Sequence, residues 1–138
     1  MPEYSTSYKV VRVVNATAAG TTDINGTAVD MDGFDSVEFV ALYGALTATQ
    51  VTSLKAESSD SSSTGFAAIT GAATTALADG DGNKAQRLEV YKPQKRYVRC
   101  VVDRGTANAV VDGVVAILHG PAIKPVTQDA TVVSAVVA

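Results

Sequence analysis

Tryptophan is absent from this 138-residue chain, and histidine and cysteine occur once each. Each scarcity excludes a class of chemistry. Cys100 alone cannot close a disulfide within the chain. One thiol and one imidazole cannot supply the ligands of a structural zinc site. Any Ser-His-Asp or Cys-His arrangement would have to use His119, which ends an apolar run beside Gly120-Pro121, where local hydrogen bonding accounts for it. There is no GxGxxG and no Walker loop. A sugar platform would have to be assembled from Tyr4, Tyr8, Tyr43, Tyr91 and Tyr97. The expectation is a non-enzymatic protein with no catalytic residues, no metal and no cofactor.

Charge is also scarce. Charged residues make up 18% and the net charge is −3, too mild to imply a polyanionic or polycationic partner. No run approaches the ~18 apolar residues of a membrane span. MPEYSTSYK has no apolar stretch of the kind that a secretion signal carries. The expectation is therefore no membrane, with synthesis in a reducing cytoplasm where a lone thiol is at home. Without secretion, the sequons Asn15-Ala16-Thr17 and Asn25-Gly26-Thr27 are coincidences of a Thr-rich chain.

Apolar residues make up 46%, mostly Val and Ala, with abundant Thr and Ser. Val and Thr are stiff at χ1 and suit a pleated strand. The length is that of one domain, so residues 1–138 are expected to form a single β-sandwich domain. Residues 1–7 read as a polar N-terminal arm and 8–14 as a first strand. Residues 15–36 carry turn formers, Gly20, Asn25-Gly26 and Asp32-Gly33, with a short strand near Thr27–Met31. Residues 36–43 alternate with a period of two, Val37, Phe39, Ala41 and Tyr43 on one face and Glu38, Val40 and Leu42 on the other. Residues 49–57 read as the next strand and the serine-rich 58–65 as a loop. Residues 66–78 permit a short helix by their alanines, but Gly71 and the Thr pair favour strand plus loop.

Asp79-Gly80-Asp81-Gly82-Asn83 opens like an EF-hand loop, but Lys84 stands where that loop needs glycine and Val90 where it needs glutamate, so it reads as a turn. Strands follow at 86–92, 95–103 and 110–119, with a turn at 104–108 and Gly113 marking a bulge. Cys100 shares a face with Val98 and Val102 and reads as a small buried hydrophobe. Residues 121–138 form a C-terminal tail or a final strand. About seven to nine short antiparallel strands at this spacing indicate an all-β sandwich, jelly-roll-like, with extended arms at both ends.

One stretch is electrically distinct. Residues 84–104 hold Lys84, Arg87, Lys92, Lys95, Arg96, Arg99 and Arg104 against Glu89 and Asp103, a net +5, while the rest of the chain carries −8. This reads either as a solvated strand face or as a docking face for an acidic protein surface. Nucleic acid fits less well, because no aromatic or glycine interleaving makes a base-stacking groove.

The stretch QRLEVYKPQKRYVRCVVDRGTANAVVDGVVAILHGPAIKPVTQ, residues 86–128, resembles small structural proteins of tailed bacteriophages that decorate or cement the head. The matching features are Leu88–Tyr91, Pro93, Arg96-Tyr97-Val98-Arg99, Arg104-Gly105-Thr106-Ala107-Asn108 and Leu118-His119-Gly120-Pro121. The earlier Asn25-Gly26, Asp30-Met31 and Gly33-Phe34-Asp35-Ser36-Val37 fit the same group. The resemblance implies a cement protein on the outer capsid surface of a virion. Its partner would be the major capsid protein, with a dimer or trimer of this chain as the unit. Lys92, Lys95, Arg96, Arg99 and Arg104 and the tail valines Val126, Val132 and Val133 are the candidate partner-binding residues. Val136 and Val137 belong to the same apolar tail. A tail or head–tail connector component, and a carbohydrate- or receptor-binding sandwich, are the competing readings.

Overall fold

The computed structural model describes residues 7–136. Among these residues ten strands occur in chain order: β1 (Tyr8–Val14), β2 (Thr17–Gly20), β3 (Ile24–Asn25), β4 (Val29–Asp30), β5 (Ser36–Leu46), β6 (Thr52–Ser59), β7 (Ala67–Ala73), β8 (Ala85–Tyr91), β9 (Tyr97–Arg104) and β10 (Ala109–His119). They form two antiparallel sheets. The first runs β1-β10-β5-β8, with β2 also on β10; the second runs β3-β9-β6-β7, with β4 also on β9.

Ten strands exceed the number expected because two sheet positions are each filled by a pair of short strands laid end to end. β1 and β2 both lie along β10, Tyr8 opposite His119 and Thr17 opposite Val111. β3 and β4 both lie along β9, Ile24 opposite Val102 and Val29 opposite Val98. Counting each pair as one position, chain order reads 1-8-3-6 across the first sheet and 2-7-4-5 across the second. That alternation of the chain between two four-position sheets is the jelly roll.

The period-two face of β5 is where the sequence places it: Val37, Phe39, Ala41 and Tyr43 are buried in the core between the sheets. Leu54 and Ala56 of β6, Val98, Cys100 and Val102 of β9, and Val114, Ala116 and Leu118 of β10 meet them. β5 runs past Tyr43 to Leu46, because Leu46 finds a partner in Ala109 of β10. β7 is a strand followed by a loop, as expected, and Gly113 sits at a register shift between β10 and β5 with φ 151°.

Asn25-Gly26 departs from its expected role as a turn. Gly33, at φ 87°, is such a turn residue, but Gly26 is needed for close packing. Its N–H donates to the carbonyl of Cys100 at 2.8 Å. A Cβ there would stand 2.7 Å from Cys100 Sγ.

Candidate partner-binding surface

The basic stretch 84–104 spans β8, the 92–96 connection and β9. Its charge asymmetry in sequence does not survive folding, because acidic residues from elsewhere fold onto it. Arg87 is bidentate with Glu38 of β5, at 2.8 and 2.9 Å. Arg96 is bidentate with Asp30 of β4, at 2.9 and 2.8 Å. Arg99 contacts Glu57 of β6 at 2.8 and 2.6 Å and lays its guanidinium over the Phe66 ring, 4.3 Å from the centroid. Lys84 reaches Asp81 at 3.0 Å. These pairs hold Glu38 and Asp30 below the usual carboxylate range, chiefly through the hydrogen bonds that Arg87 and Arg96 donate.

Arg104 is not on the surface. It is 4% exposed, and its guanidinium donates to the carbonyls of Thr22, Ala18 and Ala109 at 2.8, 2.8 and 2.9 Å. It is a strut between layers, since Ala18 and Ala109 belong to the first sheet and Arg104 to the second. The solvated-face reading therefore describes Arg87 and Arg96, Arg99 is largely sheltered by Glu57 and Phe66, and the docking-face reading loses Arg104 to burial.

Among the described residues, Lys92 and Lys95 are in no ion pair. Lys92 stands over the Tyr91 ring, 5.4 Å from its centroid. Both lysines lie on the 92–96 connection, a ridge between two clefts. One cleft, of about 410 Å³, gathers Lys92, Lys95 and Arg96 with Asp32, Asp35 and Phe34. The other, of about 460 Å³, lies between β8 and the alanine-rich β7. Tyr91 is the one aromatic among the large side chains that are well exposed in the described residues.

Among the described residues, the tail from Pro121 contains no strand. It runs as an arm beside β1, the outer strand of the first sheet, held by side chains. Gln128 accepts from Val10 N–H at 2.9 Å and donates to the Tyr8 carbonyl at 2.8 Å. Thr131 Oγ1 accepts from Arg12 N–H at 3.0 Å. Three outward backbone groups of this edge strand, the N–H of Val10 and of Arg12 and the carbonyl of Tyr8, are thus occupied without a further strand, which protects it against stray pairing.

The candidate valines divide. Val126 lines a hollow with Phe34 and Lys9, and Val132 lines one with Val10 and Val115; both are half-buried. Val133 is 98% exposed, as are Val136 at 85% and Ile123 at 82%. Ile123 escapes a reading of the sequence that looks only for valine-rich runs. Its signal was the flanking Pro121 and Pro125, residues that do not continue a paired strand. Val137 and all but Ser7 of the N-terminal arm lie outside the described residues.

His119 pairs across the sheet with Tyr8, their rings 6.2 Å apart. Cys100 is buried, and burial pushes its thiol up to about 12. In the 79–83 turn, Asp81 accepts from Ala78 N–H and Asp79 accepts from Thr49 N–H in the β5–β6 connection, so both carboxylates are spent on backbone hydrogen bonds. No group of three or more His, Cys, Asp or Glu among the described residues is placed to hold a metal ion. No described helix is long and apolar enough to cross a membrane.

No family model matches the chain, and no curated protein matches it. Among solved structures it is similar to the structure of Eiger TNF from S. frugiperda, with 8% identity, 89% of this chain and 99% of that chain covered, and a TM-score of 0.39. A likeness of this size is too slight to bear on function.

Proposed function

We propose that this chain is a bacteriophage virion protein, a cement or decoration protein that binds the outer capsid surface and ties neighbouring major capsid protein subunits together. It works by binding and catalyses nothing. The reading rests on the resemblance of residues 86–128 to such proteins. The observation that carries it is the C-terminal arm: Ile123, Val133 and Val136 stand out from an arm that is itself tethered to β1. Large apolar side chains spaced along a tethered arm make a surface that a flat, repeating shell can cover. Many weak contacts on one lattice become strong through effective concentration. Lys92 and Lys95, free of ion pairs among the described residues, supply charge for acidic groups on the shell.

The test is to add purified chain to phage heads that lack it. Saturable binding to assembled shells, and none to free capsid subunits, is expected. Ile123→Asp with Val133→Asp leaves the sandwich folded and lowers shell affinity about tenfold or more, as removal of buried apolar contacts does. Wild-type chain that leaves such shells unbound overturns the reading.

A further inference from the structure

We infer that two copies of this chain join edge to edge through β8, antiparallel, with the two-fold axis beside Leu88. This inference is independent of the virion reading. It starts from the sheet edges. The β1 edge is occupied by the arm. The β3/β4 edge is two dipeptides. β7 pairs with β6 at three positions only and is broken by a register shift, with Gly71 at φ 81°. β8 differs: all seven of its residues pair one-to-one with β5, Ser36 opposite Tyr91 through Leu42 opposite Ala85, with no bulge. It contains no proline and no lysine, the residues that usually blunt an edge.

The hydrogen-bond parity of β8 is set by its ends. Lys92 N–H donates to the Asp35 carbonyl at 2.7 Å, and the Lys84 carbonyl accepts from Tyr43 N–H at 3.0 Å. Even-numbered residues therefore turn their backbone groups to β5, and Ala85, Arg87, Glu89 and Tyr91 turn theirs outward. All four are exposed. Their outward N–H and C=O groups are what a further strand would bond.

Charge selects the strand and its register. Glu89 lies directly opposite Glu38, an unfavourable like-charge pair. Glu38 uses its carboxylate on Arg87, and Glu89, near enough for its charge to act on Arg87, forms no ion pair among the described residues. A two-fold axis at Arg87 would oppose two arginines, and one at Glu89 two glutamates. An axis at Leu88 places Arg87 of each copy opposite Glu89 of the other, and Ala85 opposite Tyr91. The same register makes Arg87–Glu89 and Ala85–Tyr91 the hydrogen-bonded pairs, in agreement with the parity. Leu88 then faces its own copy as a non-hydrogen-bonded pair, with Cβ atoms about 4.5–5.5 Å apart. The segment is its own complement, so the occupant is a second copy.

Sedimentation of the purified full chain tests this. A dimer is expected that weakens with dilution. Glu89→Lys and Arg87→Glu are each expected to weaken self-association about tenfold or more, and an equimolar mixture of the two variants to recover a dimer. Glu89→Pro removes an outward N–H that the monomer does not use, so it should keep the native circular dichroism and lose the dimer. Oxidised Leu88→Cys should cross-link to itself, since Cys100 is buried. A monomeric wild-type chain, failure of the mixture to associate, or a folded Glu89→Pro that still dimerises overturns the inference. Capture of a different protein's strand at β8 with no self-association overturns it equally.

Discussion

Arg104 Nη1 lies 2.8 Å from the carbonyl oxygen of Ala18, and the two residues are 86 positions apart and in different sheets. The same nitrogen also reaches the Ala109 carbonyl, while Nε holds the Thr22 carbonyl. A buried guanidinium satisfied by carbonyls joins the layers where the β9–β10 turn closes. Arg104→Leu leaves those acceptors without a donor and costs at least about 2 kcal/mol. Arg104→Lys recovers only part, because a compact ammonium cannot span three carbonyls as the planar fork does. Denaturant midpoints at unchanged slope measure both. A lysine variant as stable as the wild type would show that the fork geometry is irrelevant.

Gly26→Ala drives a methyl group against Cys100 Sγ at 2.7 Å and the Cys100 carbonyl at 3.1 Å. The expected loss is about 1–3 kcal/mol, the usual range for overpacking. Cys100→Ala in the same chain relieves the sulfur contact, so the double variant should lose less than the two single losses added together. Simple additivity in thermal melts would remove the packing explanation for this glycine.

The Cys100 thiol is buried in the core and pushed up to about 12 by burial. In the native chain at about pH 8 it should not react with an aromatic disulfide reagent, since both access and thiolate are lacking. After denaturation one thiol per chain should react. Rapid labelling of the native chain would mean that β9 opens readily.

Glu38 is held below its ordinary 4.5 by hydrogen bonds from Arg87, and Asp30 below its ordinary 3.8 by those from Arg96. A carboxylate with a depressed folded value contributes stability that is present above its unfolded value and lost as pH falls through the folded one. The melting temperature should therefore fall between about pH 5 and about pH 2. Glu38, the more sheltered of the two, should dominate. Glu38→Gln should flatten that acid limb by lowering the melting temperature at neutral pH, where the ionised pair contributes, and by changing it little near the acid end; an unchanged acid limb would place the effect elsewhere.

Several features were legible from local pattern alone. The β5 faces follow from alternation at Val37, Phe39, Ala41 and Tyr43, and Cys100 falls inward for the same reason. The paired short strands at β1/β2 and β3/β4 were not legible, because two- to four-residue strands carry too few alternations to register. The fate of the basic stretch was likewise hidden. Nothing near Arg96 announces Asp30, 66 positions away, and nothing near Arg87 announces Glu38, 49 positions away.

By itself the sequence determined that this chain is built of strands, where the longer ones turn and which side of each central strand faces inward. Those properties depend on side-chain period and turn chemistry within a few residues. Only the tertiary structure decided that Arg104 is buried while Lys92 and Lys95 stay clear of ion pairs, that the tail guards β1 as an arm, and that β8 is left as a regular open edge. Each of those outcomes depends on which distant strands become neighbours, and strand pairing in a jelly roll is settled by the packing of the whole core.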